Sequence, residues 1–208
     1  MEQPMAQPTG DSRDGLSLST VRGTAICAGL GGLLLGSFAI IVALKPRGCV
    51  AEECVGRSYS EGGPVDGLLF FVALALIAAA TAGVYRMHRF DRRGFKLVRI
   101  SAVVAAVSVV SGAFLTNSAL FFVGLAALIL ALLAFAVIGA GLMVTRVLPA
   151  WSGAMLLVTS LMLFGINDQN ERGLLLIPFG VAWMVLGGLL LSAASSPSKG
   201  WHSRIQYA

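Results

Sequence analysis

The sequence predicts an all-α fold: a polytopic transmembrane bundle of six helices, with the N and C termini cytoplasmic. Three observations carry this. Hydrophobic residues make up 57% of the 208-residue chain and charged residues only 12%, where a soluble domain carries about 25% charged residues. The apolar residues come in long runs without a charge. The basic residues fall mostly on one side of those runs.

The elements follow in chain order. Residues 1–20, "MEQPMAQPTGDSRDGLSLST", are polar and rich in Pro, Gly and Ser. Too little apolar surface is present to offset ordering, so a disordered cytoplasmic tail is expected. Its mixed charges and the long run after it do not fit a secretory signal, whose apolar core is about 7–15 residues. The first span is therefore expected to remain as an anchor.

Residues 23–44 are 22 residues without a charge, and residues 67–85 are 19. A helix needs about 20 apolar residues to cross a ~30 Å hydrocarbon core. The next uncharged run, 100–145, holds 46 residues, too many for one crossing. Its polar cluster Thr116, Asn117 and Ser118 suits a helix–helix turn, because such side chains cap free N–H groups. Residues 147–167 and 173–198 supply the last two runs, of 21 and 26 residues. Six spans result, at about 23–44, 67–85, 99–116, 119–145, 149–166 and 174–195, within a membrane domain of 21–198. Pro149 and Pro178 sit near span starts, where a missing N–H has no partner to lose. Residues 199–208 form a short cytoplasmic tail, with Trp201 and Tyr207 suited to the headgroup level. The runs are continuously apolar, unlike the alternating strands of a membrane barrel. Helices also satisfy their own backbone, as lipid requires.

Six spans place both termini on one face, with the 85–99 loop and the 146–149 connection. That face holds eleven basic residues: Arg13, Arg22, Arg86, Arg89, Arg92, Arg93, Lys96, Arg99, Arg146, Lys199 and Arg204. The other face holds four, Lys45, Arg47, Arg57 and Arg172. The excess of Lys and Arg marks the cytoplasmic side, and the location expected is a prokaryotic cell membrane. Arg86, Arg89, Arg92, Arg93, Lys96 and Arg99 then form a membrane-surface basic loop. Anionic lipid headgroups are its expected partner, at about 1 kcal/mol for each basic residue near the surface. Phe90 and Phe95 dip into the interface while the Arg side chains snorkel. A nucleic-acid site would need a basic face on a folded module, which a loop between spans is not. His88 has only Asp91 near it at ligand spacing and reads as a solvated loop histidine.

The longest outer loop, 45–66, contains Cys49 and Cys54. On an oxidising outer face a local disulfide between them is expected. Glu52 and Glu53 between the thiols make a metal site the rival, but structural zinc sites take a second matching ligand pair. Cys27, inside the first span, reads as a small buried hydrophobe.

No Asp, Glu, Lys, Arg or His lies inside a span. Proton-coupled pumps need such groups. Both histidines lie in cytoplasmic segments, so no Ser–His pair forms at membrane depth, and no HExxH zinc motif is present. No cofactor is implied. Small residues dominate instead. Gly32 and Gly36, with Ala28 one turn earlier, form a small-xxx-small seam for close helix packing. Ala75, Ala79 and Gly83 repeat that spacing in the second span, and Ser101, Ala105, Ser108 and Gly112 share a face of the third. Such seams pack the bundle internally or receive a protein partner or a second copy. The hexapeptide LGGLLL recurs at 30–35 and 186–191, but the flanks differ and a Gly- and Leu-rich chain repeats itself cheaply.

The function expected is that of a small polytopic integral membrane protein, a non-enzymatic accessory or interaction subunit. The rival is a transporter or channel for an uncharged or lipidic solute, built on Ser and Thr positions. An enzyme acting on lipid headgroups comes third, since Asp91 alone supplies no acid–base or metal cluster.

Overall fold

The computed structural model describes residues 18–45, 63–89, 96–111, 119–146, 148–166 and 171–195. Six α-helices account for most of them: α1 (Leu18–Ala43), α2 (Pro64–Arg89), α3 (Lys96–Ser111), α4 (Phe121–Thr145), α5 (Ala150–Met162) and α6 (Leu176–Ser195). Two 3₁₀ turns flank the α5–α6 connection, Leu163–Gly165 and Glu171–Leu175. No strand occurs among the described residues. The all-helical, six-helix fold class is as the sequence predicts.

Helix boundaries follow local chemistry. Pro64 opens α2 at the first helical position, where its missing N–H is harmless. Asp66, two residues on, reaches back so that its Oδ2 accepts the Gly63 N–H at 2.7 Å. This is the carboxylate half of a capping box. At the end of α4, Arg146 takes a left-handed conformation, φ 50°, and its N–H donates to Leu142 O at 3.2 Å. Glycine usually fills this position. Before α5, Pro149 supplies the carbonyl that accepts both the Ser152 N–H, at 2.9 Å, and the Ser152 hydroxyl, at 2.7 Å. Pro178 falls in the first turn of α6, where the backbone tolerates it.

Consecutive helices run antiparallel and lie side by side. α1 packs on α2 and α6, α3 sits between α2 and α4, and α4 packs on α5. A smaller contact between α5 and α6 closes the ring. The closest approaches are glycine crossings. A Cβ at Gly180 would lie 2.5 Å from Gly32 O, and one at Gly187 would lie 2.6 Å from Ala25 O. The α4–α5 pair repeats the device: a Cβ at Gly139 would lie 2.7 Å from Gly153 O, and one at Gly153 would lie 2.5 Å from Gly139 O. In lipid, helices gain nothing hydrophobic by meeting, so backbone approach and dispersion must supply the attraction.

The centre is filled by large side chains. Trp183 on α6 is fully buried. Its ring meets Phe135 of α4 edge-on, with centroids 5.6 Å apart and planes at 82°. Phe179 stands edge-on to Trp183 at 6.3 Å. Edge-to-face pairs add to the gain from area burial. Leu156, Ile138, Leu186 and Leu190 complete this region, all essentially inaccessible.

The outside is apolar as well. Leu30, Leu68, Val107, Val158 and Met184 are exposed, and Phe122 is 80% exposed. A continuous apolar exterior marks a surface that meets another apolar phase. Four helices are long and apolar enough to cross a membrane, spanning Leu18–Ala43, Pro64–Met87, Phe122–Thr145 and Arg172–Ser195. The chain is compatible with a multi-pass membrane protein. The third and fifth elements are shorter than the other four. α3 has 16 residues and α5 has 13. With its 3₁₀ turn, α5 reaches about 26 Å at helical rise, a little under the ~30 Å hydrocarbon core.

Candidate functional site

Among the described residues the charged side chains sit at the two ends of the bundle, and each end differs from the other. The antiparallel order brings the start of α1, the end of α2, the start of α3 and the end of α4 to one end. Arg22, Arg86, Arg89, Lys96, Arg99 and Arg146 lie there. Among the described residues the two acids, Asp66 and Glu171, both lie at the opposite end. The charge asymmetry of the sequence thus becomes a basic end and a mixed end. Arg22, Arg86, Lys96 and Arg146 are exposed, and Arg99 is half-buried. For Arg86 and Arg146 the position at helix C-termini complements the macrodipole. Lys96 and Arg99 open α3 against it, so their placement answers to something other than helix stability. Arg92, Arg93, Cys49 and Cys54, with the turn 116–118 and Gly112, lie outside the described residues.

At the mixed end Lys45, just past α1, forms an ion pair with Asp66 Oδ2. Asp66 is therefore doubly held, by the Lys45 ammonium and by the Gly63 N–H. The pair clips the end of α1 to the start of α2 across the long loop between them. Charge spacing alone did not reveal it, because the partners are 21 residues apart. The available signal was that each borders a long apolar run, Lys45 directly after 23–44 and Asp66 directly before 67–85.

The small-residue positions divide. Gly32 faces α6: a Cβ there would collide with Gly180 O and lie 3.0 Å from Met184 N. A Cβ at Gly36 would meet nothing within 4 Å. Gly36 contributes its backbone instead, since a Cβ at Gly180 would lie 3.3 Å from Gly36 N. On α2, Gly83 packs against the Thr24 side chain, while Ala75 and Ala79 face outward. A four-residue spacing drifts around a helix of 3.6 residues per turn, and the face that packs inward is Ala73, Ile77, Ala80 and Val84. On α3, Ser101, Ala105 and Ser108 are all buried. Gly139, Gly153, Gly180 and Gly187 escape a reading by motif, since their contacts lie between helices far apart in sequence or across a turn. The two LGGLLL segments also differ in use. Gly31 faces Ile77 of α2 and Gly32 faces α6, whereas Gly187 faces α1 and a Cβ at Gly188 would meet nothing.

Among the described residues the polar groups buried within the helices, away from the helix ends, are hydroxyls and one indole. Thr81 donates to Ile77 O at 2.7 Å, Thr159 to Met155 O at 2.7 Å and Ser160 to Leu156 O at 2.6 Å. These bonds within a helix satisfy the donors where no water reaches. Trp183 Nε1, buried at the centre, has no hydrogen-bond partner. No group of three or more His, Cys, Asp and Glu gathers among the described residues. Compared with known protein families, curated proteins and solved structures, the chain matches none.

Proposed function

We propose that the chain is a multi-pass cell-membrane protein that works by association, as an accessory or interaction subunit, with its basic end in the cytoplasm. The observation that carries this reading is the interior. Backbone meets backbone at Gly32–Gly180 and Gly139–Gly153, and aromatic rings close the middle. A bundle packed to this density is a rigid body that offers its surfaces. The basic end is the chemically distinctive one. Its Arg and Lys side chains suit anionic headgroups and an acidic segment of a protein partner or second copy.

Two measurements test the reading. A photo-crosslinking residue at Arg86 or Lys96 in cells is expected to give one discrete adduct, and a tag at residue 90 is expected to be cytoplasmic. Purified protein in liposomes is expected to pass uncharged solutes no faster than protein-free liposomes. Solute-dependent swelling, or an external tag at residue 90, would overturn it.

One observation favours the second reading, a pathway for an uncharged or lipidic solute. The unpaired Trp183 indole N–H is a donor at the centre of the bundle, and a buried polar group without a partner calls for a reason. On that reading swelling occurs and Trp183→Phe abolishes it.

A further inference from the structure

We draw no further inference here: the strongest candidate, the buried cluster of Phe135, Phe179 and Trp183 at the centre of the bundle with its unpaired indole N–H, belongs to the solute pathway already set out as the second reading.

Discussion

The adjacent glycines Gly187 and Gly188 offer a stringent test of how this bundle is held together. They share one helix, one depth and one backbone conformation, so the helix-propensity gain of Gly→Ala, about 1 kcal/mol, is common to both. Their surroundings differ. A Cβ at Gly187 would lie 2.6 Å from Ala25 O and 2.8 Å from Gly29 N, and one at Gly188 would meet nothing within 4 Å. Ordinary contact begins near 3.4 Å, so Gly187→Ala forces α1 and α6 apart by about 0.8 Å. A gap of that size forfeits a quarter to a half of the dispersion attraction along the opened seam. Overpacking changes cost roughly 1–3 kcal/mol. Gly187→Ala should therefore be less stable than Gly188→Ala by about 1–3 kcal/mol. For a chain of this size that is about 2–4 °C of melting temperature per kcal/mol. The assay is thermal unfolding of the purified protein in detergent, read by circular dichroism. Gly32→Ala against Gly36→Ala repeats the contrast on the facing helix, since the first collides with Gly180 O and the second is open. If Gly187→Ala melts with or above Gly188→Ala, the α1–α6 crossing is not a backbone contact and the argument fails.

Two further outcomes are expected. Asp66→Asn and Lys45→Gln should each lower the melting temperature, and together they should cost less than their sum, because either one already unclips α1 from α2; strictly additive losses would show that the pair does not couple. Trp183→Phe removes an indole N–H that has no partner, relieving a burial penalty of about 1–3 kcal/mol while opening a smaller hole than truncation to Ala, which costs about 3–5 kcal/mol; stability within about 1 kcal/mol of the parent is expected, and a loss above about 3 kcal/mol would mean the N–H is paired.

Fold class and charge layout were legible in the sequence by itself. Runs of about 20 uncharged apolar residues admit one backbone solution in lipid, so the composition of 23–44 or 119–145 is enough to specify a helix there. Alternation of the spans then assigns every charged residue to an end, and Arg86, Lys96 and Arg146 meet at the basic end as chain order requires. What the sequence left open was which way each helix turns. An apolar span has hydrophobic residues all round, so no polar face distinguishes lipid from neighbour. Gly187 and Gly188 are indistinguishable as letters, as are Gly32 and Gly36. Ala75 and Ala79 share the spacing of a packing seam yet face outward. The ion pair of Lys45 with Asp66 and the unpaired indole of Trp183 are likewise facts of assembly. Both depend on segments distant in sequence arriving at one depth. Packing in lipid is decided by where backbones can approach most closely, and that is a property of two surfaces at once, which only the tertiary structure contains.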